Sequence, residues 1–455
     1  MFVNRVKEIE RITQSLQREK PQLIVVYGRR RCGKSTLLHH VLPRGSIYFS
    51  ADMREAPLQI AAFASQVEEA VSGFSKPVYP DWESLFISLN NVLKDRTVIC
   101  LDEFPYLVKQ SPELPSVLQK LMDKLQPRNF HLVLCGSSQH MMHSMVLDIT
   151  SPLYGRCDEI IRVRPMEIRN MKEFLSLSSI DAVREFGVWG GVPRYWEIRQ
   201  QYHSFDEAVK MGVLDRDGLL YEEPERIFLD EMRTSVQAYS ILSLIGAGVH
   251  RPSEIAARLG KPLTHLSHVF GFLITQGYIR REIPFGESTA SSKRNRYKIE
   301  DSFLNFYFTF LVPNRSRLES DMSSVVWRET KKAYDQYISF VWEDLCRKVV
   351  PCMDIEGVRF NPARRWWGGG LDKKPLEIDI VATSLDNDCL LIAEVKWTDR
   401  NCLDEVIESL NRKAGNIPFK KPGRIIRALF QKVPATHPEI SVFTPDDIIE
   451  YSLEV

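Results

Sequence analysis

The chain has 455 residues, 26% of them charged, and a formal net charge of +1. That length exceeds what a single core organises and suggests about three domains. The near-zero charge excludes a globally basic nucleic-acid coat, so any such surface has to be a local patch. No apolar run reaches the roughly 18 residues of a membrane span, and no signal-peptide layout is present. The eight scattered cysteines lack a CxxC pair. A cytoplasmic protein with buried free thiols and no membrane association is therefore expected.

Residues 1–165 alternate short apolar runs with helical stretches. QLIVVYG, SIYFSAD, TVICLDE and HLVLCGS read as four strands, nearly continuously apolar and hence buried on both faces. Intervening helices favour a parallel α/β sheet. Residues 166–230 turn helical, interrupted by GGVP at 190–193, and are expected to form a lid. Residues 231–310 carry YSILSLIGAG, RPSEIAARLG and THLSHVFGFLITQGYI, followed by the polar FGESTASSKRN and the strand-like RYKIE. Residues 311–335 read as a linker or bridging helix, and 336–455 as helix, strand, strand, strand, helix, strand.

GRRRCGKS, Gly28 to Ser35, fits GxxxxGK[ST] and sits between an apolar strand and the helical TLLHHVL. That strand–loop–helix context is what a phosphate-binding loop requires, with backbone N–H groups wrapping phosphates at a helix N-terminus. Gly28, Gly33, Lys34, Ser35 and Thr36 are the expected nucleotide contacts. Lys34 would reach the β and γ phosphates, and Ser35 would offer its hydroxyl to Mg²⁺. Downstream, TVICLDEFPYL ends a strand on Asp102 and Glu103. Asp102 is assigned to the metal and Glu103 to the attacking water as general base. Ser137 and Ser138 follow HLVLCG as γ-phosphate sensors or as helix caps. Arg156 in SPLYGR is a candidate arginine finger or a surface ion pair. GGVPRYW is a nucleotide-facing lid with Arg194 as phosphate contact, or only a turn.

FVNRVKEIERI, GRRRCGKST, LDEFPYL, LCGSS, SPLYGR and GGVPRYW, in this order, resemble the archaeal-type ATPases of the AAA+/STAND-related P-loop group over about residues 1–200. The resemblance implies an ASCE-type sheet, Mg-ATP as nucleotide, and an adenine-proximal segment from Phe2 to Glu8. It also implies a winged helix and a restriction-endonuclease-like C-terminal domain.

RPSEIAARLG and THLSHVFGFLITQGYI resemble a helix-turn-helix, with Ser253 as cap and REIPFGESTASSKRNRYKIE as wing. Nine Lys/Arg stand against four Asp/Glu between Arg251 and Glu300. Arg280, Arg281, Lys293, Arg294 and Arg296 are the candidate DNA-phosphate contacts, and His265, Ser267 and His268 could face a groove. The alternative is an internal lid or a protein contact.

EIDIVATS and LLIAEVKW, joined by SLDNDC, read as an antiparallel hairpin that places Asp379 near Glu394 and Lys396. Together with YISFVWEDLCRKVV, which carries Glu343, the layout resembles the PD-(D/E)xK nuclease superfamily over about 336–455. The resemblance implies Asp379 and Glu394 as ligands of Mg²⁺ or Mn²⁺, Lys396 as the water-positioning base and Glu343 as auxiliary acid. The family's proline before the first acid is missing, EID standing where PD would be. An interior salt bridge between Glu394 and Lys396 is the plain alternative. Trp366 and Trp367 either stack on bases or pack beneath the site. The fold class expected is α/β: a P-loop parallel sheet, a helical lid, a winged helix-turn-helix and a C-terminal nuclease-like α/β domain. The expected function is ATP hydrolysis controlling a DNA-acting domain, or a nucleotide-dependent DNA- or protein-binding switch on an inactive scaffold. Arg156 also hints at a homo-oligomer.

Overall fold

The computed structural model describes residues 4–231, 235–288, 292, 294–400, 402–419 and 423–452. Contacts divide the chain into two compact units, 1–165 and 166–455. Phe2 and Lys293, singled out above, lie outside the described residues.

In the first unit β1 (Leu23–Gly28), β2 (Ile47–Ser50), β3 (Thr97–Asp102), β4 (Phe130–Gly136) and β5 (Glu159–Val163) form one parallel sheet in the order β2-β3-β4-β1-β5. β4 thus lies between the phosphate-loop strand and the acid strand, the arrangement that the resemblance implies. Leu23 to Val26 are fully buried because helices cover both faces of a parallel sheet. Phe63, Trp82, Phe86 and Phe130 fill one side of its core, each contributing about 1.5–3 kcal/mol by burial. β5 was absent from the expected strands. Its residues alternate between core and solvent at the sheet edge, so its sequence lacks the continuous apolar run of the central strands.

The second unit begins with helices Ile168–Leu175, Ser179–Trp189 and Pro193–Arg199. The segment expected as a lid packs on helix Ser323–Val349: the Tyr334 and Tyr337 hydroxyls donate to the carbonyls of Arg184 and Gly187 at 2.6 and 2.7 Å. That helix spans 27 residues, about 40 Å at 1.5 Å per residue, and runs unbroken across the expected linker–domain boundary at 335/336.

Helices Ser235–Gly246, Pro252–Arg258 and Leu263–Thr275 precede the antiparallel pair β6 (Ile279–Glu282) and β7 (Arg296–Ile299). The second of these helices starts at Pro252, so Ser253 lies inside the first turn and is not its cap. Proline is favoured there because the first helical N–H has no intrahelical partner.

After the short pair β8 (Asp354–Ile355) and β9 (Val358–Arg359) comes a sheet of β10 (Arg364–Gly369), β11 (Pro375–Thr383), β12 (Cys389–Lys396), β13 (Arg424–Gln431) and β14 (Ser441–Phe443), ordered as numbered. β10, β11 and β12 pair antiparallel, and β12, β13 and β14 parallel. Helix Leu403–Asn416 provides the crossover from β12 to β13. Trp342 of the long helix meets Trp397 at the end of β12, ring centroids 5.6 Å apart.

Candidate functional site

The phosphate loop closes tightly at its first glycine: a Cβ on Gly28 would overlap the Val163 carbonyl oxygen. Any side chain there would push β1 and β5 apart. The following helix, Lys34–Val41, starts directly after Gly33. Lys34 is 5% exposed and its ammonium donates to the Arg29 carbonyl at 3.0 Å. Ser35 and Thr36 are exposed on the first turn. The Ser35 hydroxyl donates to Asp102 Oδ2 at 2.7 Å, which joins the loop to the end of β3.

Asp102 is buried, yet its carboxyl is held below the ordinary aspartate range. Burial alone would raise it, and hydrogen bonds from Cys135, Tyr48, Ser35 and the Glu103 N–H outweigh that effect. Glu103 follows in a left-handed conformation, φ 52°, uncommon for a non-glycine residue and concentrated at functional positions. Its Oε2 accepts the Ser137 hydroxyl at 2.8 Å. The two serines after β4 therefore differ: Ser137 holds Glu103, whereas Ser138 Oγ accepts the Met141 N–H at 3.4 Å, as a helix cap does. Ser137, expected at the γ-phosphate, is thus turned to the acid beside it.

Arg156 and Arg194 each pair with a nearby acid, Arg194 from the helix Pro193–Arg199. Arg156 makes two 2.9 Å hydrogen bonds to the Asp123 carboxylate. Arg194 pairs with Glu197 one helical turn on, at 2.7 Å.

In the second unit, Asp379 and Glu394 are the next residues beyond the Ile380–Ala393 register pair of β11 and β12. Asp379 Oδ2 accepts the Val395 N–H at 3.0 Å. Lys396 Nζ lies 3.4 Å from Glu394 Oε2, as same-face positions on a strand allow. Lys413, from helix Leu403–Asn416, occupies the other carboxylate oxygen, Oε1. Glu343 lies near Arg347 and Arg365, at 3.5 and 3.9 Å. Burial and the Asp379 charge push both Glu343 and Glu394 above the ordinary glutamate value, partly offset by those cations. Burial would lower Lys396, but Glu394 and Asp379 raise it.

A cleft of about 450 Å³ opens here, lined by Glu394, Lys396, Thr398, Arg400, Cys402 and Ser409 among others. Among the described residues no group of three or more His, Cys, Asp or Glu side chains is gathered to hold a metal ion. The expected Glu343, Asp379 and Glu394 do not form such a group. Each Glu394 oxygen lies against an ammonium group, Lys396 at Oε2 and Lys413 at Oε1, so a divalent ion at this carboxylate would compete with both. Sequence reasoning missed Lys413, because only the β12–helix–β13 crossover brings it to Glu394.

The expected DNA contacts part company. Arg280 is turned inward, pairing with Glu282 at 2.9 Å, Glu300 at 2.7 Å and Asp344 at 2.5 Å. It is thereby committed to three carboxylates, contrary to its expected role on phosphates. Asp344 is held well below the aspartate range: burial would raise it, but Arg280, Lys298 and Arg347 prevail. Arg294 pairs with Glu287, lies 5.0 Å over the Trp366 ring and donates to the Trp367 carbonyl at 2.9 Å. Gly368 makes room for it, since a Cβ there would collide with the guanidinium. Arg296 stacks 4.9 Å over Trp367. The Phe285 N–H donates to the Arg365 carbonyl at 2.8 Å, so the β6–β7 connection covers the β10 edge. Trp366 is buried and Trp367 half-buried, each beneath an arginine. Arg281, His265, Ser267 and His268 remain exposed.

Among the described residues no helix is long and apolar enough to cross a membrane. All eight cysteines are free thiols.

Comparison with known proteins matches residues 2–197 to an ATPase domain predominantly from Archaea, and 307–410 to archaeal and bacterial proteins of unknown function. The uncharacterized protein MJECL04 of Methanocaldococcus jannaschii is 32% identical over 424 residues, covering 91% of this chain and 92% of that one. An uncharacterized ATP-binding protein of the same organism, MJ0423, is 43% identical over 47 residues, 10% of this chain and 80% of its own length. Among solved structures, the Walker-type ATPase of Pyrococcus abyssi superposes with a TM-score of 0.53 at 21% identity, over 68% of this chain and 96% of its own. That likeness shares the fold. Matched almost end to end by MJECL04, the chain belongs to the same family as that archaeal protein, and its residues 2–197, with Ser35 bonded to Asp102, form an ATPase domain of a kind found predominantly in Archaea.

Proposed function

We propose that the chain is a Mg-dependent ATPase whose nucleotide state controls a DNA-acting, nuclease-like C-terminal domain. The observation that carries the ATPase reading is the Ser35–Asp102 hydrogen bond beside Glu103 held by Ser137. A hydroxyl and an ionised carboxylate in contact at a helix N-terminus suit Mg²⁺, which when bound with ATP would offset phosphate charge. Ser35 and Asp102 would hold the ion. Lys34 would bind the β and γ phosphates, and Glu103 would accept the proton of the attacking water. In the purified full chain, Lys34→Ala is expected to abolish nucleotide binding and Mg-dependent phosphate release. Wild-type protein that binds and hydrolyses no ATP would sink this reading.

For the C-terminal domain, support comes from Asp379, Glu394 and Lys396 meeting at the end of paired strands beside an open cleft. A second reading has its own observation. Lys413 and Lys396 together neutralise Glu394, as in a non-cleaving scaffold that serves a nucleotide-dependent DNA- or protein-binding switch. Cleavage of single- and double-stranded DNA, with ATP and with an unhydrolysable analogue, separates the two. Nicking that Asp379→Ala abolishes supports the nuclease; nucleotide-dependent binding without cleavage supports the switch.

A further inference from the structure

Tyr48 stands outside every motif of the phosphate-loop site, yet it touches the site's central acid. It lies on β2, the edge neighbour of β3, with Tyr48 registered to Cys100 and Ser50 to Asp102. Its hydroxyl donates to Asp102 Oδ2, the same oxygen that accepts Ser35 Oγ at 2.7 Å. The opposite oxygen, Oδ1, accepts the Glu103 N–H at 2.9 Å. Oδ2 thus takes two side-chain donors, one from the loop and one from β2, while Oδ1 is tied to the backbone. Together they fix the carboxylate plane.

All of these donors are neutral, so they orient Asp102 without cancelling its charge. An arginine or lysine at position 48 would orient it equally well but compete with a metal ion. A phenol is also stiffer than a serine hydroxyl, and the Tyr48 ring is braced: it lies against the His39 ring, centroids 4.1 Å apart and planes 30° apart. His39 belongs to the helix that Lys34 begins. Tyr48 therefore ties the acid at the end of β3 to the helix that carries the phosphate loop.

We propose that Tyr48 is a positioning residue of the ATPase site, holding the Asp102 carboxylate in its metal-binding orientation and thereby setting the divalent-cation requirement. It does not touch nucleotide or the reacting atoms; it acts through Asp102. Hydrogen-bond partners behind a ligand typically govern metal affinity by about 10–100-fold. Without the phenol, Oδ2 loses one of its two hydroxyl donors, the one that comes from outside the phosphate loop.

The inference rests on the ATPase reading, and Tyr48→Phe in the full chain tests it. The Mg²⁺ concentration for half-maximal ATP hydrolysis is expected to rise about tenfold. Mn²⁺ binding in the presence of an unhydrolysable ATP analogue, followed by electron paramagnetic resonance, should weaken in parallel. Analogue binding in excess chelator, which needs no metal, should match wild type. His39→Ala removes the ring contact and keeps the hydroxyl, and should leave the Mg²⁺ requirement within about twofold. A Tyr48→Phe variant with wild-type Mg²⁺ and Mn²⁺ dependence would overturn the inference. So would a His39→Ala variant that shifts the requirement as far, since ring packing would then be the cause. A wild-type chain without ATPase activity would instead overturn the reading beneath it.

Discussion

The chain carries two acid clusters, Asp102 and Glu103 at the end of β3 and Glu394 of β12 beside Glu343 of the long helix, and they are held in opposite ways. In the first unit Asp102 and Glu103 are held by neutral donors: Ser35, Tyr48 and Ser137 hydroxyls and a backbone N–H. In the second, Glu394 is held by Lys396 and Lys413, and Glu343 by Arg347 and Arg365. Neutral donors position a carboxylate and leave its charge for an incoming cation. Fixed ammonium and guanidinium groups satisfy that charge in advance, and a divalent ion has to displace one of them. Two acids at a strand end are therefore a weak indicator of a metal site until their counter-charges are known.

Glu103→Gln should have the largest effect. The amide keeps the shape and can still meet Ser137, but it cannot accept a proton from water. Turnover should fall by about 10²–10⁴-fold, the usual contribution of a general base, with ATP binding retained. Single-turnover phosphate release beside equilibrium nucleotide binding checks both halves. Normal turnover in this variant would remove Glu103 from the chemistry and weaken the contrast between the two clusters.

Lys413→Met probes the other side. Lys413 is largely buried against Glu394, and removing one partner of a buried pair leaves a charge less well compensated. A loss of about 2 kcal/mol in stability at neutral pH is expected, below the roughly 3–5 kcal/mol of fully buried pairs because Lys396 remains. The same change frees Glu394 Oε1, so Mn²⁺ should raise the melting temperature of Lys413→Met more than that of wild type. If Mn²⁺ stabilises wild type equally, Lys413 does not stand in a cation's place.

Ser137→Ala should cost less, about tenfold in turnover or roughly 1.4 kcal/mol, the scale of one hydrogen bond to a charged group. Mg²⁺ dependence should be unchanged, because Ser137 orients Glu103 and not Asp102. A shifted Mg²⁺ requirement would show that the two acids are not served separately.

What the sequence discloses follows from how local each feature is. The phosphate loop needs one contiguous octapeptide between a strand and a helix, so Gly28, Lys34 and Ser35 could be placed from spacing alone. Asp379 and Glu394 were legible through the hairpin that pairs their strands, because side-chain period and a short connection fix register. Tyr48 was not legible: an apolar strand residue acquires its role only when β2 pairs with β3. Lys413 lies 19 positions from Glu394, and nothing in a helix sequence says which strand-end acid its lysine will meet. Arg280 looked available for phosphate because it follows a helix-turn-helix pattern, but its partner Asp344 lies 64 residues on. Composition records how many charges there are; tertiary contacts decide which remain free.

The smallest expected effect concerns pH. Glu343 is raised by burial and by Asp379, against the lowering influence of Arg365, Arg347 and Lys298. A carboxyl raised on folding contributes stability that is complete below its ordinary value of 4.5 and is lost as pH rises through the raised value. Glu343→Gln, which stays neutral, avoids that loss. Its melting temperature relative to wild type should therefore be higher at about pH 7 than at about pH 4, by a few degrees. Asp102 has the opposite sign: lowered on folding, it contributes stability above the ordinary aspartate value and loses it as pH falls. Asp102→Asn should therefore fare worse, relative to wild type, at the higher pH. Opposite slopes in the two variants would show in solution that one acid is held ready as an anion while the other is kept anionic only against its surroundings. Parallel slopes would mean that the guanidinium groups around Glu343 outweigh its burial, and that the two acids are electrostatically alike.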